Sequence, residues 1–204
     1  EEGVLDGHCW VEGGKLQRVL AEERGKSTWP PEILRTEEAS APRGGGQKSS
    51  ATSQAVTIFL RKLVCLGSRH IAYLCSNLGL SSSLTDQVWT VFKRCLEVKL
   101  EIFTGRRTDQ IILCCIYATC KIARCVPEVS FARIIEQFKK MLPGREAHHY
   151  RVIKDVSLPP TAKGGKARRG NIIEFYNSVF IASMKEYVQR FQGIREQRRA
   201  EEEV

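Results

Sequence analysis

From residue 52 onward the apolar positions fall into step. Val56, Phe59, Leu60, Leu63, Val64, Ile71, Leu74, Cys75 and Leu78 recur every three or four residues, the rhythm of a helix with one buried face. Thr52 or Ser53 offers an N-cap and Gly79 a stop,. Ser83 precedes a second helix that turns Leu84, Val88, Val91, Phe92, Cys95, Leu96 and Phe103 inward and ends at Gly105. Thr108 or its neighbour opens a third, in which Ile111 to Cys120 is apolar almost all round. A helix without a polar face is normally enclosed by others, so this one is expected at the centre. Pro127 and Glu128 break the chain before a fourth helix, Phe131 to Met141, which stops at Pro143-Gly144. A shorter fifth covers Glu146 to Lys154, and a sixth runs from Asn171 to about Phe191. Two-residue alternation is sustained nowhere, so no strand is expected. The pattern predicts an all-α domain over residues 52–191, five to six helices packed around an apolar central one.

The flanks read differently. Residues 1–51 carry Ser27-Thr28-Trp29-Pro30-Pro31 and Ala39-Ser40-Ala41-Pro42-Arg43-Gly44-Gly45-Gly46 without a lasting apolar period, which predicts a flexible linker. Within it, a short helix fits around Lys15 to Glu23, and Trp10 and Trp29 are the side chains able to dock. Residues 157–170 are glycine-rich and basic and read as a mobile loop, and 192–204 as a charged tail,. The chain opens on Glu1 rather than Met, which reads as a fragment or a processed chain.

Charge sharpens the division. The net charge is +9, yet residues 1–50 hold 7 Lys+Arg against 9 Asp+Glu, leaving +11 on the remainder. A basic folded part suits nucleic acid, an acidic membrane or acidic peptides as well as plain solvation. Of the eight cysteines, Cys65, Cys75, Cys95, Cys114, Cys115, Cys120 and Cys125 fall within predicted helices or at their ends. They are expected as buried thiols in a reducing compartment. No CxxC pair occurs, and His8, His70, His148 and His149 lack zinc-ligand spacing,. The longest apolar run, Ile111 to Cys120, falls far short of the roughly 20 residues that span a bilayer,. A soluble intracellular protein is the expectation, with no cofactor and no metal.

Polar side chains interrupt two apolar helices. Tyr117 and Lys121 are spaced i, i+4 and share a face, while Tyr176-Asn177 breaks the run Ile172 to Phe180,. Asparagine is a mediocre helix former that gains nothing from apolar neighbours. Side by side, the two helices would form a shallow groove with hydroxyl, ammonium and amide groups at its rim, suited to a peptide.

These segments carry a resemblance. Thr57 to Lys62 with Leu74-Cys75, Val88 to Phe92, Asp109 to Tyr117 with Cys120-Lys121, and above all Phe175-Tyr176-Asn177-Ser178-Val179-Phe180 resemble, in the same order, the B half of the pocket of retinoblastoma-type proteins. The resemblance covers roughly residues 52–190. It implies a cyclin-box-like bundle and a nuclear, non-enzymatic scaffold that represses transcription and controls the cell cycle. It also implies a groove for Leu-x-Cys-x-Glu peptides, as in chromatin modifiers, viral oncoproteins and D-type cyclins. Transcription factors of the E2-factor class would bind once an A half is present, giving an indirect association with DNA; no membrane partner is implied.

Carried over by residue, Tyr117, Lys121, Tyr176 and Asn177 match positions that hold the peptide. Ile122 and Ile173 would line apolar slots for its Leu and Cys. Phe131 and Ala132, at the start of the fourth helix, would present backbone N–H groups to its Glu, with Lys121 and Lys185 adding positive field. The chain departs from the family in three places. Arg107-Thr108 stand where His-Leu usually precedes Asp-Gln, the Lys121-to-Phe131 connection is about two residues longer than in animal members, and the 157–170 loop resembles an insert of plant-type relatives. Rival readings are another cyclin-box protein (a kinase-activating cyclin or a general transcription factor) and nucleic-acid binding by Lys163 to Arg169. An enzyme built on Asp109 and the histidines lacks any nucleophile elbow or phosphate loop.

Overall fold

A computed structural model describes residues 15–26, 29–34, 51–160 and 168–202, without the side chains of 15, 32, 51 and 192–202. In chain order the elements are α1 (Lys15–Arg24), a 3-10 turn (Glu32–Leu34), α2 (Ala51–Asn77), α3 (Ser82–Val98) and a second 3-10 turn (Leu100–Phe103). There follow α4 (Thr108–Ala123), α5 (Phe131–Met141), α6 (Glu146–Ile153), β1 (Val156–Leu158), β2 (Arg168–Gly170) and α7 (Ile172–Phe175). A π turn (Tyr176–Phe180) then leads into α8 (Ile181–Glu202).

The apolar helix is central, as its composition requires. From Thr108 to Cys120 every side chain of α4 is buried except Tyr117, and the helix contacts α2, α3, α5, α6 and α8. Its start is fixed by Gln110, whose Oε1 accepts from the Arg107 N–H at 2.9 Å, while its Nε2 donates to Arg151 O at 3.0 Å. One side chain thus caps α4 and holds α6. The other expected helices are present. The cap of α3 lies two residues earlier than the sequence suggested, at Ser81, whose Oγ accepts from Leu84 N–H at 3.3 Å.

Gly67 sits in the middle of α2, where glycine costs about 1 kcal/mol of helix propensity relative to alanine. Its role is the crossing with α3. A Cβ there would lie 2.8 Å from Phe92 Cζ and closer still to Cε1. Phe92 cannot swing away, being fully buried between Trp89 and Phe103, with ring centroids at 6.0 and 6.4 Å. Gly67→Ala is therefore expected to destabilise by about 1–3 kcal/mol despite the better helix former, read as a lower urea midpoint. An unchanged or raised midpoint would show that the crossing gives way freely.

Several expectations need correction. Where a flexible linker was expected, the described parts of residues 1–51 pack on the domain. Leu20 and Leu34 are buried, and two side chains serve the end of α3. Trp29 Nε1 donates to Glu97 O at 2.9 Å and Arg24 Nη2 to Val98 O at 2.5 Å, while Gln17 Nε2 donates to the Thr104 hydroxyl, just past the second 3-10 turn, at 3.2 Å. The last carbonyls of a helix lack intrahelical donors, and Trp29 and Arg24 supply them. Ser53, expected as a cap, instead donates to the buried Glu23 at 2.5 Å. Trp10 lies outside the described residues.

The expected mobile loop has an ordered base. β1 and β2 pair antiparallel, Val156 opposite Gly170 and Leu158 opposite Arg168, with Val156 and Leu158 buried. Three residues per strand are too few for alternation to be visible in sequence. Residues 161–167, most of the basic run, lie outside the described residues, and the expected tail is helical as far as Glu202. No described helix is long and apolar enough to cross a membrane.

The cysteines divide. Cys75, Cys95, Cys114, Cys115 and Cys120 are buried, but Cys65 is exposed and Cys125 half-buried. Burial pushes the Cys75 thiol up to about 12 and raises Cys114 and Cys115 as well. Cys65 lies on the outward face of α2, so its expected place in the core is corrected.

Candidate functional site

The site is assembled around an aromatic cluster from three elements. Tyr117 of α4 stands 4.4 Å, centroid to centroid, from Phe131 at the start of α5 and 4.9 Å from Tyr176 of the π turn. Phe131 and Tyr176 close the triangle at 5.7 Å, and Tyr176 stacks on Phe180 at 5.9 Å. Edge-to-face and offset contacts of this kind are each worth about 0.5–1.5 kcal/mol beyond area burial.

Tyr176 and Asn177 lie in a π turn closed by the Ile181 N–H on Tyr176 O, in which Tyr176 is buried and Asn177 and Ser178 are exposed. Single π turns inside α-helices are frequent at functional sites. The entry to this segment is tightly held. Asn171 Oδ1 caps α7 by accepting from the Ile173 and Glu174 N–H groups, both at 3.0 Å. Glu174 in turn accepts from Asn171 Nδ2 at 2.8 Å and from Arg168 Nη1 at 2.7 Å, tying β2 to the turn.

Lys121 is exposed one turn beyond Tyr117, and its Nζ lies 3.3 Å from Glu128 Oε1 in the α4–α5 connection. Glu128 was foreseen only as a helix breaker; an acid seven residues past a lysine carries no helical spacing that would pair them. At the start of α5, Ser130 Oγ takes the Arg133 N–H at 3.2 Å. Helix geometry leaves the Phe131 and Ala132 N–H groups without an intrahelical acceptor. Ile173 is 49% exposed and Ile122 half-buried.

Not every expected residue lies where a rim was imagined. Tyr176 is only 9% exposed, and burial, then the neighbouring Tyr117 hydroxyl, push its phenol up to about 12. It is an interior member of the cluster, not a rim residue, because Phe180 stacks on it and Tyr117 and Phe131 pack edge-to-face with it. Phe131 is likewise buried, while Ala132 is exposed. Lys185 is exposed on α8 about two turns past Asn177,, and no described hydrogen bond or ion pair joins it to the cluster.

The profile of the Retinoblastoma-associated protein B domain matches residues 55–185, which include the aromatic cluster, Lys121 and Asn177. The chain belongs to that family. It is 33% identical over 173 residues to the retinoblastoma-related protein of Scutellaria baicalensis, covering 82% of this chain and 17% of that protein. It is 34% identical over 148 residues to retinoblastoma-related protein 1 of Pisum sativum, covering 71% and 14%. Against the Nicotiana benthamiana protein it is 32% identical over 172 residues, covering 82% and 17%. The chain thus spans about a sixth of the length of these plant relatives. The all-α bundle is the cyclin-box-like fold of a retinoblastoma-type B domain, and the other cyclin-box readings give way to it.

The histidines form a separate feature. His70 Nδ1 and His148 Nε2 lie 2.8 and 2.9 Å from the two oxygens of Asp109, clamping α2 and α6 to α4. Among the described residues no cluster fits a metal ion.

Proposed function

We propose that this retinoblastoma-related B domain is a binding module, not an enzyme, that takes extended acidic peptides of the Leu-x-Cys-x-Glu pattern across Tyr117, Tyr176 and Asn177. The observation that carries the reading is the aromatic cluster with an exposed amide and an exposed ammonium on either flank. The interlocked rings give the site a rigid apolar base. Asn177 offers both a donor and an acceptor to an extended backbone. Ile122 and Ile173 supply apolar walls for the peptide Leu and Cys. The opening N–H groups of α5, at Phe131 and Ala132, and the positive end of its dipole favour the Glu, with Lys121 and Lys185 adding positive field.

In the intact protein this groove would recruit chromatin-associated partners in the nucleus, in control of transcription and the cell cycle. With the A half present, the pocket would also hold transcription factors of the E2-factor class. The net +11 outside residues 1–50 raises the rate of capture of acidic peptides, and added salt weakens it.

The test is a titration of a fluorescent Leu-x-Cys-x-Glu peptide with the full chain, at low salt and near 0.15 M. Saturable binding that weakens with salt is expected. No binding to the natural pattern, or equal binding of a peptide with its Leu and Cys exchanged for Ser, sinks the reading.

A further inference from the structure

The end of α4 is closed by a Schellman motif. Arg124 adopts a left-handed backbone, φ 49°, and its N–H bonds to Cys120 O and Lys121 O. The next N–H, of Cys125, returns to Cys120 O at 3.3 Å. In this motif the two residues joined by the longer bond bring their side chains into contact, usually as an apolar pair. Here both are cysteines and both free, so the turn itself sets the two thiols side by side,. Cys120 is 2% exposed, whereas Cys125 is half-buried and open to small solutes. Cys95, Cys114 and Cys115, by contrast, are sealed in the core.

We propose that Cys120 and Cys125 are an oxidisable dithiol whose disulfide, formed by reaction with a hydroperoxide, locks the α4–α5 turn. A disulfide needs two facing Cβ atoms a short span apart, and the reversing chain of the turn supplies that. The Cys125 thiolate attacks a peroxide oxygen; the O–O bond breaks, the departing oxygen takes a proton, and Cys125 becomes a sulfenic acid. The Cys120 thiolate then attacks Sγ of Cys125. The S–O bond breaks, hydroxide leaves and combines with the Cys120 proton, and one peroxide has been reduced by two thiols. Burial, reinforced by the neighbouring Cys125 thiol, raises the Cys120 thiol well above its ordinary value, so the second step is slow and quickens with rising pH. The ring so closed contains Lys121 and Ile122 and ends three residues before Glu128. Oxidation therefore fixes the segment that presents the ammonium, whatever that segment binds.

The chain itself provides the readout. Trypsin cuts after Lys121 and Arg124, between the two cysteines, so a disulfide keeps residues 108–121 attached to 125–133. The full chain, treated with hydrogen peroxide, alkylated and digested, is expected to yield that linked pair, faster at pH 8.5 than at 6.5. Cys125→Ser abolishes it and Cys65→Ser leaves it intact. Cys125 is only half-buried, so its serine variant retains the fold. Absence of the linked pair, Cys125 found only as sulfinic acid, or Cys125 joined to Cys9 or Cys65 overturns the proposal.

Discussion

Asp109→Ala is expected to cost this domain about 2–3 kcal/mol, a fall in Tm of roughly 4–12 °C. The carboxylate is 8% exposed and is the common acceptor for two imidazoles from α2 and α6, at 2.8 and 2.9 Å. Burial alone would raise its pKa. The hydrogen bonds from His148 and His70, with their charge, outweigh burial and hold it well below the usual carboxylate range. A carboxyl more acidic in the folded than in the unfolded chain stabilises the fold above its unfolded pKa, about 3.9, and loses that contribution as pH falls further. The gap between wild type and Asp109→Ala should therefore be full at pH 5 to 7 and shrink below about pH 4. Asp109→Asn, which keeps the shape but only one accepting oxygen, should fall between the two. Urea midpoints from pH 3 to 7 check this; a gap that stays constant down to pH 3 would remove the ionised carboxylate from the account.

That clamp was invisible in the sequence for a simple reason. Each histidine lies 39 residues from Asp109, and no helical or turn spacing links side chains so far apart. The same limit hid Glu128, which reaches Lys121 only because the connection folds back to place Phe131 on Tyr117. What was legible is what periodicity controls. Ile111 to Cys120 had no polar face and is the enclosed helix. Val56, Leu60, Leu63 and Leu74 kept the rhythm of a buried stripe, and face inward. The N-terminal pieces were legible only in part: a short helix near Lys15 to Glu23 and Trp29 as a docking side chain were foreseen, but Leu20 and Leu34 are isolated anchors that form no stripe. The π turn escaped for a subtler reason: Tyr176 to Phe180 has the composition of an ordinary helix, and no residue in it marks the added winding. Gly67 likewise looks like a weak point in α2 until Phe92 is seen pressed against it.

The second large effect is expected at Asn177, and its exposure makes the experiment clean. If the groove holds an extended peptide, Asn177→Ala removes a paired donor and acceptor from an interface that becomes dry on binding. The expected loss is about 1–3 kcal/mol, or roughly 5- to 150-fold in Kd. The free domain should barely notice. Asn177 is exposed, and exposed substitutions stay within about 0.5 kcal/mol, so Tm should move by no more than about 2 °C. Tyr117→Ala cannot separate the two effects. Its ring lies 4.4 Å from Phe131 and 4.9 Å from Tyr176, so truncation uncovers the cluster and lowers stability together with affinity. Fluorescence anisotropy with the Leu-x-Cys-x-Glu peptide, set beside melting curves, separates the cases. Unchanged affinity in Asn177→Ala would take the amide out of the site. A large fall in its Tm would show instead that Asn177 holds the π turn in shape, so that any lost affinity came from a collapsed base.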